Sequence, residues 1–119
     1  MGWNRKPLSI ASQLETRVDE LAKKQARKVF SMVYKLSPVK TGRYKSNHIV
    51  SIGGPTNFFD ARRRDYARWY DVGLATINSS KRGSKIYIQQ NLPYAPKIEN
   101  GSSQQSPMGV YRIAAESSK

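Results

Sequence analysis

Residues 29–52 read VFSMVYKLSPVKTGRYKSNHIVSI, and the hydrophobic period of this stretch changes in its middle. Before Pro38 the apolar residues recur every three or four positions, which is typical of an amphipathic helix. The proline ends that pattern because it pushes the preceding residue out of the helical region. After Gly42 apolar and polar residues alternate from Tyr44 to Ile52, as in a half-buried strand. The stretch therefore predicts a helix, a tight turn and a strand.

The helical pattern extends towards the N-terminus, and we expect one long helix over residues 10–36. Ser9 and Ser12 are both candidate N-caps, and Glu15 stands at the capping-box distance from Ser12. A helix of this length, about 40 Å, needs a sheet or a neighbouring subunit to cover its apolar stripe. The stripe consists of Leu14, Val18, Leu21, Ala22, Ala26, Val29, Val33 and Leu36.

The second half of the chain predicts one more helix and further short elements. Helical spacing returns over residues 59–77, and residues 85–90 have the β-branched and aromatic content of a strand. Residues 98–101 predict a single helical turn, whereas residues 108–115 fit either a strand or a short helix. We expect one α+β domain over residues 1–119, with a long N-terminal helix and a second helix packed on a small, mainly antiparallel β-sheet. The apolar side of the second helix consists of Phe59, Tyr66, Trp69, Tyr70, Gly73 and Ile77.

The composition excludes several classes of protein. The chain has 119 residues, no cysteine and a formal net charge of +13 that is spread over both halves. No apolar run is long enough to span a membrane, and we expect no secretory signal because the N-terminus is polar and basic. Without cysteine there are no disulfides or thiolate metal sites, which fits assembly in a reducing cytoplasm. So large a positive charge implies a polyanionic partner, either nucleic acid or an acidic protein surface.

Catalytic and metal-binding patterns are missing from the sequence. His48 is the only histidine and lies on the alternating face of the predicted strand, so we interpret it as a packed or half-exposed strand residue. The carboxylates Glu15, Asp19 and Glu20 have lysines one turn away, which fits a solvated helix face better than acid–base chemistry. No nucleophile elbow, P-loop or dinucleotide fingerprint is present. We therefore expect no enzyme, no metal and no cofactor.

The densest positive charge is Arg62-Arg63-Arg64 followed by Arg68, interleaved with aromatic residues. Arginines bind phosphates while aromatic rings stack on bases, so contact with nucleic acid is one interpretation. On a helix the aromatic residues form the buried stripe, and Arg64 and Arg68 stay outside to meet phosphate or an acidic partner. Contact with a partner or with DNA in a channel is assigned to Arg62, Arg63, Arg64, Arg68, Lys81, Arg82 and Lys85.

Two clusters of residues carry a joint pattern. The first is Ser37-Pro38-Val39-Lys40-Thr41-Gly42-Arg43. The second begins with Asn91-Leu92-Pro93-Tyr94-Ala95 and continues with Ile98-Glu99-Asn100-Gly101-Ser102 and then Gln105, Pro107, Gly109, Val110 and Arg112. Together they resemble the HK97 gp10-like family of tailed-phage proteins, which are tail-completion or head–tail joining (minor tail, neck) proteins. The resemblance covers residues 10–115. Its motif residues, to which we assign structural roles, are Ser37, Pro38, Val39, Thr41, Gly42, Arg43, Asn91, Pro93, Tyr94, Ala95, Glu99, Gly101, Pro107 and Gly109.

The resemblance implies a structural virion protein that closes one end of the tail or joins it to the head. Similar proteins work as closed rings, and we expect a hexameric or dodecameric ring around the channel through which the genome passes. The expected partners are head–tail connector or adaptor proteins, tail terminator or tail tube proteins and, without base reading, genomic DNA. We expect localisation in the neck or tail end of the virion after assembly in the host cytoplasm, with no membrane contact.

Surfaces for neighbouring subunits are expected on the long first helix and on three loops, residues 54–60, 78–84 and 101–107, since mobile segments can order on docking. The alternative from another class is a small basic protein that binds nucleic acid non-specifically. Steep salt-sensitive binding to any duplex, with no ring in solution, would favour this alternative.

Overall fold

A four-stranded antiparallel sheet packed with two helices forms the described part of the chain, so the predicted α+β class is confirmed. The computed structural model describes residues 4–5, 13–17, 21–39, 42–95, 97, 110–111 and 113–114. In chain order the elements are β1 (Asn4–Arg5), β2 (Gln13–Arg17), α1 (Ala22–Leu36), β3 (His48–Ile52), α2 (Tyr66–Ser79) and β4 (Lys85–Gln90).

Strand β4 lies inside the sheet, whose order is β1-β2-β4-β3. Ile88 of β4 pairs with Leu14 of β2 on one side and with Val50 of β3 on the other. Because β4 has a neighbour at each edge, its residues 86–90 are buried. A β-branched and aromatic segment suits this position, and the strand predicted over residues 85–90 is confirmed.

The long first helix predicted over residues 10–36 is wrong in its N-terminal part. Residues 13–17 form strand β2, and the helix occupies only Ala22–Leu36. Strand β2 pairs with β4 along its whole length, and this ladder requires an extended backbone. Leu14 is fully buried on the sheet, and one buried leucine fits a helical stripe equally well. Its spacing therefore does not distinguish a helix from a strand.

Within its true bounds, α1 buries the face that the sequence predicts. Leu21 precedes the first turn and makes no side-chain capping hydrogen bond. The predicted caps Ser9 and Ser12 lie outside the described residues. Lys35 stands in the last turn, where a cation complements the negative end of the helix dipole. The buried residues of α1 are Ala22, Ala26, Val29, Phe30 and Val33.

Helix α2 begins at Tyr66, and the predicted start at Phe59 is wrong. The carboxylate of Asp65 accepts a hydrogen bond from the backbone N–H of Arg68 at 3.3 Å, which caps the helix at this point. Phe59 precedes the helix and is exposed, so it does not belong to the buried stripe.

The two helices pack closely at a glycine. Gly73 of α2 is buried as predicted, and a Cβ atom at this position would collide with the Phe30 ring of α1. One turn earlier, Tyr70 stacks on Phe30 with ring centroids 5.4 Å apart and also packs on Tyr34 at 4.3 Å. The absence of a side chain at Gly73 therefore sets the distance between α1 and α2.

Strand β3 begins at His48, and the predicted start at Tyr44 is wrong because a tight turn occupies the preceding residues. In this turn the backbone N–H of Ser46 donates to the Gly42 carbonyl at 3.0 Å. Gly42 has a φ of +76°, and a Cβ atom there would lie 2.7 Å from the carbonyl oxygen of Arg64. A glycine adopts this positive φ without strain, and the lack of space for a Cβ atom gives a second reason for glycine at this turn.

Residues 108–115 fit either a strand or a short helix in the sequence, and their described part is helical. The backbone N–H of Ala114 donates to the carbonyl of Val110 at 3.0 Å. Val110, Tyr111 and Ala114 are all fully buried in the main hydrophobic core. The turn predicted at residues 98–101 and the loop predicted at residues 101–107 lie outside the described residues.

Candidate functional site

Three buried polar side chains from distant parts of the sequence are joined by hydrogen bonds. The Oγ of Ser37 lies 2.5 Å from Nε2 of His48, and the hydroxyl of Tyr111 lies 2.9 Å from Nδ1 of the same ring. The Ser37 hydroxyl also donates to the Val33 carbonyl at 2.6 Å. None of the three residues is more than 5% exposed. We call Ser37, His48 and Tyr111 the buried relay.

The hydrogen bonds of the buried relay assign its protons. Because the single hydroxyl proton of Ser37 goes to the Val33 carbonyl, Nε2 of His48 must carry a proton and donate it to Ser37. Nδ1 is then the acceptor for the Tyr111 hydroxyl. Burial, together with the nearby positive charge of Lys45, lowers the pKa of His48 to about 3. The imidazole is therefore neutral near pH 7.

A serine beside a histidine is the geometry of an activated nucleophile, yet this pair cannot act as one. Nε2 of His48 already holds its proton and cannot accept another from Ser37. Burial also keeps solvent and substrate away from both groups. The buried relay instead satisfies its own polar atoms and joins the end of α1, the start of β3 and the buried C-terminal segment that contains Tyr111. His48 is a packed strand residue, as the sequence predicts.

The motif residues make their contacts within the chain. Nε of Arg43 donates to the Ala61 carbonyl at 3.0 Å, and the ring of Tyr94 lies 6.5 Å from that of Tyr44 between centroids. Both motif clusters thus meet near the turn that precedes β3. Of the described members, Ser37, Gly42 and Ala95 are buried, whereas Pro38, Val39, Arg43, Asn91, Pro93 and Tyr94 are partly or fully exposed. The members outside the described residues are Thr41, Glu99, Gly101, Pro107 and Gly109.

Amide side chains without a predicted role hold the loop of residues 54–60. Asn47 accepts a hydrogen bond from the backbone N–H of Asp60 at 2.8 Å and donates to its carbonyl at 2.9 Å. Gln89 accepts from the backbone N–H of Thr56 at 2.8 Å. The loop is therefore anchored at two points, which differs from the mobile segment that the sequence predicts here.

A third amide fixes the middle of the same loop. Nδ2 of Asn91 donates to the carbonyls of Thr56 at 3.0 Å and Phe58 at 2.9 Å. The backbone N–H of Phe58 donates to the Thr56 hydroxyl at 3.1 Å. The amides Gln89 and Asn91 at the end of β4 are the sequence signal for this arrangement, because amides beside buried strand residues need hydrogen-bond partners. Gln90 between them donates to the Tyr44 carbonyl at 2.8 Å.

Arginine and aromatic side chains form a continuous stack between this loop and the start of α2. The guanidinium carbon of Arg63 lies 3.7 Å from the ring centroid of Trp69 and 5.2 Å from that of Phe58. The guanidinium carbon of Arg68 lies 5.2 Å from the Trp69 centroid. These are cation–π distances. Together with the adjacent Arg62, we call Phe58, Arg63, Arg68 and Trp69 the arginine–aromatic surface.

Two of the predicted contact arginines bind the protein's own backbone. Nη1 of Arg63 donates to the Ser46 carbonyl at 3.4 Å, and partial burial lowers the pKa of this guanidinium. Nη1 of Arg64 donates to the carbonyls of Ala61 at 2.5 Å and Arg63 at 2.9 Å. Arg63 and Arg64 therefore stabilise the loop before α2.

The other two arginines of this region extend into solvent. The side chain of Arg62 is 92% exposed, and its Nε donates to the Asp60 carboxylate at 3.1 Å. Hydrogen bonds from the backbone and side chain of Arg62 lower the pKa of Asp60. Arg68 is exposed, and Phe58, which packs on Arg63, is 51% exposed. Arg62, Arg68 and Phe58 are thus the members of the surface that a partner can reach.

The remaining predicted contact residues lie at the opposite end of α2. Lys81, Arg82 and Lys85 are exposed around the turn that joins α2 to β4. Helix α2 has 14 residues, which corresponds to roughly 20 Å. The predicted contact residues therefore form two separate basic regions.

The described residues have further features that concern metal ions, membranes and similarity to known proteins. They contain no group of three or more histidine, cysteine, aspartate or glutamate residues arranged to bind a metal ion. Within the same part of the chain, neither helix is long and apolar enough to cross a membrane. Comparison of the chain with protein-family models, curated proteins and solved structures found no match.

Proposed function

We propose that this chain is a structural virion protein of a tailed bacteriophage. It acts as a tail-completion or head–tail joining component that forms a ring around the DNA channel and links the connector to the tail. The observation that carries this proposal is that both segments with the resemblance pack against Tyr44 and His48. Ser37 of the first cluster and Tyr111 near the end of the second both contact His48, whereas Tyr94 contacts Tyr44, whose ring lies 5.0 Å from that of His48.

The distribution of polar groups supports a binding role over a catalytic one. The serine–histidine pair is buried and its protons are already assigned, so it has no capacity for substrate chemistry. Exposed positive charge is instead available at both ends of α2. Basic surfaces of this kind attach a subunit to acidic partners, and the attachment weakens as salt increases.

A ring of identical subunits also needs two different, complementary surfaces on each copy. A basic side that faces a connector, a tail terminator or the genome leaves the rest of the subunit for its neighbours in the ring. The hexameric or dodecameric ring, its place in the neck and its contacts with tail tube proteins are all part of this proposal.

The test is electron microscopy of a lysate from a phage with a stop codon early in this gene. We expect filled heads beside separate tails, and joined particles when the wild-type protein is supplied from a plasmid. Normal, infectious particles without the protein would contradict the proposal. Salt-sensitive binding to any duplex in that case would favour the alternative, a small basic non-specific nucleic-acid-binding protein.

A further inference from the structure

We infer that the arginine–aromatic surface binds an acidic segment of a partner protein that carries both carboxylates and an apolar side chain. The inference rests on the proposed function only in taking that partner to be another virion protein. The chemistry of the surface itself follows from Phe58, Arg62, Arg63, Arg68 and Trp69.

The first argument is the arrangement of the guanidinium groups. The guanidinium carbon of Arg63 lies 3.7 Å from the ring centroid of Trp69 and 5.2 Å from that of Phe58. The two aromatic rings therefore hold the guanidinium plane of Arg63 in place. Arg68 directly precedes Trp69 on α2, and its guanidinium carbon lies 5.2 Å from the centroid of the same indole. Arg68 is exposed, so the N–H groups at the edge of its guanidinium can match the two oxygens of a carboxylate.

The second argument is the exposed apolar side chain of Phe58, which packs on Arg63. Phe58 is 51% exposed, although hydrogen bonds from Asn91 and to Thr56 fix its backbone carbonyl and N–H. A ring presented on an anchored backbone loses little conformational freedom when it binds. Burial of this ring is favourable against an apolar protein side chain, whereas phosphate and sugar offer it no comparable contact.

The third argument is the residue types that are present. Arginine and aromatic residues are enriched at the energetic centres of protein interfaces, and here guanidinium groups and rings of these types pack on one another. Base stacking needs a free ring face, and the Trp69 ring is already occupied by guanidinium groups. These features favour a protein partner over nucleic acid at this surface.

The experiment measures binding by fluorescence anisotropy at low and physiological salt with three labelled probes. The probes are a short synthetic peptide that alternates aspartate and glutamate with leucine, the same peptide with asparagine and glutamine in place of the acids, and a short DNA duplex. The test variants are the pair Arg62→Gln with Arg68→Gln, and Phe58→Ser. The matched control is the pair Lys24→Gln with Lys28→Gln, which removes the same charge from exposed positions of α1.

We expect the acidic peptide to bind the wild-type protein and the amide peptide to bind far more weakly. The arginine pair should lose about tenfold or more in affinity for the acidic peptide, and Phe58→Ser roughly fivefold. The lysine pair should lose less than about twofold, because it changes only long-range attraction. Circular dichroism of each variant confirms that it is folded.

Three outcomes would overturn the inference. The first is no binding of the acidic peptide, and the second is an equal loss of affinity in the arginine and lysine pairs. The third is tighter binding of the duplex with no effect of Phe58→Ser, which would assign the surface to nucleic acid. None of these measurements uses a phage. Their failure would overturn this inference alone, and the proposed function is tested separately by the stop-codon experiment.

Discussion

The buried relay and the arginine–aromatic surface are both polar clusters, and they differ in the groups that remain after internal contacts are made. In the buried relay Ser37, His48 and Tyr111 use all their side-chain polar atoms on each other and on the Val33 carbonyl. In the surface, Arg62 and Arg68 extend into solvent with donors for a partner. Polar residues form a binding site only where some of their hydrogen-bonding groups are left for a partner.

The buried relay and the arginine–aromatic surface also differ in charge. Burial keeps the His48 ring neutral, so the buried relay carries no charge near pH 7. An arginine stays charged in either environment, because its ordinary pKa is far above neutral. The buried relay is therefore expected to determine the stability of the fold, and the arginine–aromatic surface is expected to determine what the fold binds. The predictions below follow this division.

The largest expected effect is on stability, from removal of the imidazole in the buried relay. His48→Ala leaves a cavity and removes the hydrogen bonds of the imidazole to Ser37 and Tyr111, and we expect a loss of about 3–5 kcal/mol in the free energy of unfolding. Urea denaturation followed by circular dichroism measures this loss. Lys24→Ala on the exposed face of α1 is the control and should change stability by less than about 0.5 kcal/mol. A loss below about 1 kcal/mol for His48→Ala would show that the relay does not support the fold.

The next effect is a dependence of stability on pH. His48 has a folded-state pKa of about 3, whereas an unfolded histidine titrates near about 6.5. Below the unfolded value the unfolded chain binds a proton that the folded chain does not, so stability falls as the pH falls from about 6.5 towards 3. The loss approaches about 1.4 kcal/mol per pH unit.

Two measurements check this pH dependence. The His48 ring resonances of the folded protein should show no titration between about pH 7 and 5. His48→Gln should have a shallower fall of stability over the same range than the wild type, since carboxylates contribute equally to both proteins. A folded-state titration of His48 near its ordinary pKa would contradict the assigned neutral ring.

A smaller effect is expected at the helix contact that positions the arginine–aromatic surface. Gly73 lies one turn after Trp69 on α2, and its missing Cβ makes room for the Phe30 ring. Gly73→Ala should therefore destabilise the protein by about 1–3 kcal/mol despite the better helix propensity of alanine. Gly54→Ala is the matched control, because nothing lies within 4 Å of a Cβ atom there. Equal melting temperatures of the two variants would show that the helices are not in close contact.

The smallest effect on stability is expected in the surface itself. The pair Arg62→Gln with Arg68→Gln removes exposed charge and one exposed ion pair, and we expect less than about 0.5 kcal/mol per substitution. Thermal unfolding of this variant measures the change. A large loss of stability would mean that these arginines support the fold, and the contrast with the buried relay would then disappear.

The sequence predicts the central strand and most of the buried face of α1 because local patterns determine them, whereas on α2 only Gly73 and Ile77 of the predicted apolar side are buried. Residues 85–90 combine β-branched and aromatic side chains, and Gly42 stands where a positive φ is required. Residues 13–17 are different, because Leu14 fits a helical stripe and a strand equally well. Only the pairing of this segment with β4 decides between them, and pairing over such a distance is not encoded in local spacing.

The contacts within the candidate sites also depend on residues that are far apart in the sequence. His48 is correctly predicted as a packed residue from its place on the alternating strand. Its hydrogen bond to Tyr111 bridges 63 positions of the sequence and depends on how the C-terminal turn packs. The stacking of Arg63 on Trp69 depends on the path of the loop before α2, which amide side chains from elsewhere determine. The density of positive charge in Arg62-Arg63-Arg64 assigns Arg63 to partner contact, whereas the structure uses it to hold the loop.

The most direct test supplies variants to a phage that carries a stop codon in this gene and counts joined particles by electron microscopy. The account predicts that the pair Lys24→Gln with Lys28→Gln restores joined particles as the wild-type protein does. The pair Arg62→Gln with Arg68→Gln should leave filled heads beside free tails, although the variant is folded. Equal restoration by both pairs would contradict a role for the arginine–aromatic surface in joining, and normal particles without any protein would contradict the proposed function itself.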